Sequence, residues 1–153
     1  MIRVLALDID GVLTDGRVRL DEGGRETKAL HFWDIDAVYL AHRRGLVVVL
    51  VTGEDTPMVE VIARKLSVTR VYRDAKDKEA ALRQVVRDEN VSLAEVAFVG
   101  DAPRDAPALK IAGLGLAPAD AHEAARAAAH QVLSHRGGAG AVHEAVELIL
   151  GLG

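Results

Sequence analysis

Short apolar runs alternate with longer amphipathic stretches along the whole chain. Ile2–Leu7, Leu46–Thr52, Arg70–Tyr72 and Val96–Val99 are rich in Val and Leu and show no polar alternation. That pattern fits strands covered on both faces, as in a parallel sheet. Weaker runs at Gly115–Ala117 and Gln131–Leu133 predict two further strands. Between the runs, apolar residues recur at helical spacing over about 35–44, 56–66, 76–89, 105–112, 119–129 and 140–150. Strand and helix in regular succession give the βαβ rhythm of a doubly wound, Rossmann-like α/β fold with a parallel sheet.

One segment breaks that rhythm. Residues 17–32 alternate apolar and polar around Glu22-Gly23-Gly24, which predicts a β-hairpin inserted after the first strand. With little apolar surface nearby to cover it, this flap is expected to project from the core and pair with another subunit. No linker or internal repeat interrupts the rest, so residues 1–153 read as a single domain.

Composition narrows the options. A chain of 153 residues has room for one domain and one core. Only 3% of residues are aromatic, so that core must be aliphatic. A formal net charge of −4 and so few stacking platforms argue against a nucleic-acid partner. The absence of cysteine excludes disulfides, thiolate metal sites and a cysteine nucleophile. No apolar run approaches the length of a membrane span, and the first strand begins without a signal-peptide pattern. A soluble cytoplasmic protein with no membrane partner is the expectation.

In open parallel sheets, ligands gather at the carboxyl ends of the strands. The polar residues at those ends form a coherent set. The first strand runs into Asp8-Ile9-Asp10-Gly11-Val-Leu-Thr14-Asp15-Gly16, and the second ends at Thr52-Gly53. Lys76 and Lys78 open the helix after the third, and the fourth ends at Gly100-Asp101, with Asp105 one helical turn on. Singly, each has a plain structural reading: Thr52-Gly53 as a turn, Gly100-Asp101 as a turn and helix cap, Lys78 as a solvated helix lysine. Together they would crowd like charges, which a divalent cation and a bound phosphate would balance. Mg²⁺ suits such an oxygen-rich site.

Asp8-x-Asp10-Gly11-Val-Leu-Thr-Asp-Gly, Thr52-Gly53, Asp77-Lys78 and Gly100-Asp101-x-x-x-Asp105 resemble the four motifs of the haloacid dehalogenase-like phosphatases. The likeness is strongest to a small branch without a cap domain, which acts on ulosonic-acid sugar phosphates, and it spans nearly the whole chain. It implies Asp8 as the nucleophile that forms an aspartyl-phosphate, and Asp10 as general acid and then base. Thr52, Gly53 and Lys78 would bind phosphate oxygens. Asp8, the main-chain carbonyl of Asp10, and Asp101 would hold Mg²⁺, with Asp105 orienting Lys78 or a metal-bound water. The resemblance also implies a homotetramer in which a neighbour's hairpin covers the site. His31, Asp15 and Asp34 would then lie near the substrate. His122, His130, His135 and His143 show no metal-ligand spacing.

Departures from the branch bear on the substrate. Octulosonate 8-phosphate phosphatases tend to carry Arg after Thr-Gly, where this chain has Glu54. They carry Asp-Gly-x-Gly before the first helix, where this chain has Asp34-Ile35-Asp36-Ala37, and Arg where this chain has His143. Their further tail also has no counterpart in this sequence after Gly153. Glu54 followed eleven residues on by Lys65 resembles the nine-carbon branch, where a Glu–Lys pair sits over the sugar. The expected substrate is therefore 2-keto-3-deoxy-nononate 9-phosphate, with 3-deoxy-D-manno-octulosonate 8-phosphate as the alternative. A phospho-accepting receiver domain and a catalytically silent oligomeric scaffold are the rivals from other classes.

Overall fold

The computed structural model describes residues 1–152. In chain order its elements are β1 (Val4–Leu7), the hairpin strands β2 (Arg19–Leu20) and β3 (Glu26–Thr27), α1 (Phe32–Arg43), β4 (Val47–Val51), α2 (Pro57–Lys65) and β5 (Arg70–Tyr72). They continue with α3 (Lys78–Glu89), β6 (Val96–Val99), α4 (Ala106–Ile111), β7 (Leu114–Ala117), α5 (Glu123–Ala128), β8 (Gln131–Val132) and α6 (Ala141–Leu150). Six strands form one parallel sheet in the order β5-β4-β1-β6-β7-β8.

Every residue of β1 and β6 is buried, which explains their unbroken apolar character. Successive side chains enter opposite layers. Leu5 and Leu7 pack with Val38, Ile62 and Val146 of α1, α2 and α6, whereas Val4 and Ala6 pack with Leu82, Leu109 and Ala125 of α3, α4 and α5. The chain winds outward from β1 through β4 to β5, then crosses back to β6 and winds the other way. The carboxyl ends of β1, β4 and β6 thus meet where the winding reverses, and a crevice opens there.

The strands predicted at Arg70–Tyr72 and Val96–Val99 coincide with β5 and β6. Other boundaries differ. β1 starts at Val4 instead of Ile2, and Thr52 has already left β4. α3 starts at Lys78, capped by Asp77, whose carboxylate accepts from the Ala80 amide at 3.0 Å. Lys76 therefore sits in the preceding loop. α5 is shorter than expected, because an Ala121-to-Pro118 turn and a bond from the His122 amide to the Asp101 carbonyl (2.8 Å) hold residues 118–122 outside the helix.

The largest correction concerns α1. It begins at Phe32, capped by His31, whose Nδ1 accepts from the Trp33 amide at 3.0 Å. Asp34-Ile35-Asp36-Ala37 is thus inside the helix, with Ile35 and Ala37 buried in the core. No positive φ occurs at either position, so the missing glycines carry no conformational penalty. Asp34 is fully buried against α6. Its carboxylate accepts from the amides of Gly140 (3.4 Å) and His143 (3.0 Å), capping a helix whose own N-cap, Gly140, has no side chain to offer. Burial raises the Asp34 pKa, and these two amides oppose that shift.

The hairpin is also smaller than its pattern suggested. Only Arg19–Thr27 and Leu20–Glu26 pair, and residues 28–31 lead into α1 instead of extending the ladder. Val18 and Leu20 are exposed on it. Among the described residues, no helix is long and apolar enough to cross a membrane.

Candidate active site

The loop after β1 is curled by its own main chain. The Ile9 carbonyl accepts from the amides of Val12 (3.2 Å), Leu13 (2.9 Å) and Thr14 (3.1 Å). Ile9, Val12 and Leu13 anchor the turn in the core, and the buried Thr14 hydroxyl accepts from the amides of Gly11 and Gly16 at 3.2 and 3.1 Å. Asp8 and Asp10 are left facing the crevice. Gly11 has φ +82°, and a Cβ on it would lie 1.7 Å from Asp101 Oδ2, so only glycine lets the two strand ends approach. The late glycine-rich segment supports the loop from behind: a Cβ on Gly137 would lie 1.8 Å from the Gly11 carbonyl oxygen.

Lys78, the first residue of α3, reaches into the floor of the crevice, where its side chain is only 4% exposed. Its Nζ lies 2.7 Å from Asp105 Oδ1 and 3.4 Å from Asp8 Oδ2. The other Asp105 oxygen accepts from the amides of Asp101 (2.9 Å) and Ala102 (3.0 Å). Asp105 is therefore fully employed in holding Lys78 and the turn after β6. Burial alone would lower the Lys78 pKa; Asp8 and Asp105 outweigh it and raise the value, keeping the ammonium charged.

Oxygens of Asp8, Asp101 and Asp105 lie within 4.8 Å of one another, and this cluster has one ammonium to offset its charge. Burial, with Asp105 and Asp101 adding repulsion against the attraction of Lys78, holds the Asp8 pKa well above the carboxylate range. Burial, then Asp105, pushes Asp101 up to about 6. The residues fit a divalent cation. The donors are hard oxygens with excess negative charge, and among the described residues the Asp10 carbonyl accepts no main-chain hydrogen bond. Gly11 keeps free the space beside Asp101.

A cleft of about 480 Å³ opens above this floor, lined by Asp8, Asp10, Thr52, Gly53, Lys78 and Asp101 from the predicted set. Thr52 is buried, and its hydroxyl accepts from the Glu54 amide at 3.2 Å. Glu54 also lines the cleft. Lys65 does not: it ends α2, its ammonium 5.8 Å from the centre of the Phe32 ring and its carbonyl accepting from Tyr39. Among the described residues no ion pair joins it to Glu54.

The remaining polar candidates turn out to be local. Asp34 is committed to α6, His122 caps α5, and His130 accepts from the Gly115 amide at 2.7 Å. His135 pairs with Glu144 and His143 with Glu147.

Two cations near the site, Lys28 and Arg104, were not among the predicted residues, and Lys76, expected in the first turn of α3, reaches the cleft from the loop before it. Lys28, just past β3, donates to Asp10 Oδ1 at 2.7 Å, and its side chain is 6% exposed. Lys76 donates to the Gly53 carbonyl at 2.7 Å, and Arg104 lines the rim. Nothing in the local pattern distinguishes these cations from solvated ones; only the fold brings them to the crevice.

A family model, haloacid dehalogenase-like hydrolase, matches residues 28–113. The chain is 34% identical to 3-deoxy-D-manno-octulosonate 8-phosphate phosphatase KdsC of Yersinia pestis over 149 residues, 97% of this chain and 80% of that protein. The crystal structure of the Moraxella catarrhalis 3-deoxy-D-manno-octulosonate 8-phosphate phosphatase, in complex with magnesium, phosphate and KDO, matches with a TM-score of 0.95 at 31% identity. That match covers 99% of this chain and 87% of the other. The cobalt-bound Haemophilus influenzae phosphatase gives a TM-score of 0.93 at 30% identity, covering 99% and 88%. The chain belongs to the haloacid dehalogenase-like hydrolases. With that family comes its enzyme class, phosphoric monoester hydrolase, which sets aside the receiver and the silent scaffold.

Proposed function

We propose that the protein is a Mg²⁺-dependent phosphatase of ulosonic-acid sugar phosphates, acting on 3-deoxy-D-manno-octulosonate 8-phosphate through an aspartyl-phosphate on Asp8. The observation that carries this reading is the buried Asp8–Lys78–Asp105 cluster, with Asp101 beside it, at the reversal point of the sheet. Asp8 attacks phosphorus, and the bond to the sugar oxygen breaks as Asp10 gives that oxygen its proton. Asp10 then takes a proton from water, which cleaves the acyl phosphate and restores Asp8. Thr52, Gly53 and Lys78 hold the phosphoryl oxygens while their charge redistributes. Asp8, Asp101 and the Asp10 carbonyl would hold Mg²⁺, which when bound supplies charge neutralisation at the phosphoryl group. Asp105 fixes Lys78 without touching substrate.

The relatives favour the eight-carbon acid over the nine-carbon acid that the Glu54–Lys65 spacing suggested. One observation keeps 2-keto-3-deoxy-nononate 9-phosphate as a second reading: Glu54 lines the cleft, in reach of a sugar. A homotetramer belongs to the same proposal, supported by exposed Val18, Leu20, Phe32 and Trp33 along the flap and the start of α1.

The test is kcat/KM on both acids and on simple phosphate esters, with Mg²⁺. The octulosonate ester is expected to exceed p-nitrophenyl phosphate by about a hundredfold. Glu54→Arg should raise its advantage over the nononate ester. A wild-type enzyme that prefers the simple ester to both acids overturns the substrate assignment.

A further inference from the structure

Three cations besides Lys78 approach the cleft, and two of them are engaged by this chain: Lys28 by Asp10, and Lys76 by the Gly53 carbonyl. Arg104 is different. Among the described residues its guanidinium has no acidic or hydrogen-bonding partner, although it lines the cleft beside Asp101, Ala102 and Pro103. Its Nη1 lies 3.8 Å from the point where a Cβ on Gly53 would stand, and Lys76 Nζ lies 4.0 Å from the same point. Two cationic groups therefore converge over Gly53, on the solvent side of the phosphate-binding floor.

The backbone carrying Arg104 is rigid. It belongs to the 3₁₀ turn Pro103–Asp105, which opens on a proline and closes on the fully buried Asp105. Asp105 is fixed by bonds to the amides of Asp101 and Ala102 and to Lys78. The root of Arg104 is thus set relative to the carboxylate cluster, and only its side chain must find a partner. Glu54, the nearby acid on the rim, makes no ion pair with it among the described residues, so the planar fork of donors stays available. Such a fork matches a carboxylate through two parallel hydrogen bonds.

We propose that Arg104 is a specificity-determining residue: its guanidinium, with Lys76 beside it, receives the carboxylate of a phosphorylated sugar acid whose phosphate sits on Thr52 and Lys78. This rests on the functional reading above and deepens it, by naming which part of this chain distinguishes an acid from a neutral sugar phosphate. Arg104 takes no part in breaking the ester. Removing it weakens the grip on the carboxylate and leaves the floor in place.

The experiment compares wild type, Arg104→Ala and Arg104→Lys on a panel. It contains the octulosonate and nononate esters, 6-phosphogluconate as a further phosphorylated acid, and two carboxylate-free esters, arabinose 5-phosphate and p-nitrophenyl phosphate. The readout is the ratio of kcat/KM on the best acid to that on the carboxylate-free esters. Arg104→Ala is expected to lower this ratio by about tenfold or more, chiefly through KM on the acid, and Arg104→Lys to recover part of it. An unchanged ratio, whether both substrate classes lose equally or neither does, overturns the proposal. So does a wild type with no preference for any acid. If wild type favours 6-phosphogluconate over both ulosonate esters, and Arg104→Ala abolishes that preference, Arg104 keeps its role and the ulosonate assignment falls.

Discussion

The floor and the rim of the cleft are built on opposite principles. On the floor, Asp8, Lys78 and Asp105 are at most 6% exposed, and each charged group touches another. Asp105 alone holds two amides and an ammonium, and Gly11 and Gly100 leave no space for a side chain near it or Asp101. At the rim, Glu54, Lys76 and Arg104 are exposed; Lys76 reaches the Gly53 carbonyl at 2.7 Å and Asp74 at 3.9 Å, and the flap above pairs through two residues per strand. Shifting the Asp8–Lys78–Asp105 floor would strand a buried charge, which costs several kcal/mol. The rim can vary at little cost. On the proposed function, reaction chemistry belongs to the first region and substrate choice to the second.

The most severe break removes the proposed nucleophile. Asp8→Asn should lower phosphate release by at least about 10⁴-fold while the fold survives. Because that carboxylate is buried among like charges, the neutral amide should leave the melting temperature unchanged or raise it. Steady-state assays with a thermal melt test both halves. Turnover within a hundredfold of wild type would remove Asp8 from the chemistry.

Asp105→Ala should hurt stability more than any rim substitution. It leaves the Lys78 ammonium with only Asp8 at 3.4 Å and strips the amides of Asp101 and Ala102 of their acceptor. Urea unfolding should show a loss of about 3–5 kcal/mol, the scale of a broken buried pair. A loss below about 1 kcal/mol, as for an exposed pair, would erase the distinction between floor and rim.

The same contrast explains what could be read from the sequence. The strands were legible because burial on both faces leaves an unmistakable run, as in Val96–Val99. Asp8, Asp10, Lys78, Asp101 and Asp105 were legible because each sits at a strand end or first helical turn, where spacing along the chain dictates position. The start of α1 was misplaced because His31 caps through a ring nitrogen, outside the usual Ser, Thr, Asp and Asn signal. Asp34 looked like a site residue because its true partners, the amides at the start of α6, are more than a hundred residues away. The Glu54–Lys65 spacing gives no ion pair among the described residues, because Glu54 precedes α2 and lines the cleft whereas Lys65 ends that helix beside Phe32. Lys28 and Arg104 were invisible, since a cation's partner across space has no trace in its neighbours.

Lys28 is where the contrast is sharpest, since from the flap its ammonium reaches Asp10, the proposed acid and base. Its side chain is 6% exposed although it follows a strand of only two residues, and its ammonium sits 2.7 Å from Asp10 Oδ1. Asp10 itself is 34% exposed, so water can solvate it if Lys28 is removed, and the stability cost should be small. What would be lost is orientation. A carboxylate that must meet the leaving oxygen and then a water depends on its rotamer, and among the described residues Lys28, just past the hairpin, is the side chain that holds it. Lys28→Ala should lower kcat by about tenfold with KM little changed, and Lys28→Arg should restore part of the rate. The comparison breaks if Lys28→Ala instead raises KM at constant kcat. Lys28 would then belong with Glu54 and Arg104 among the groups that sort substrates, and the flap would be rim throughout.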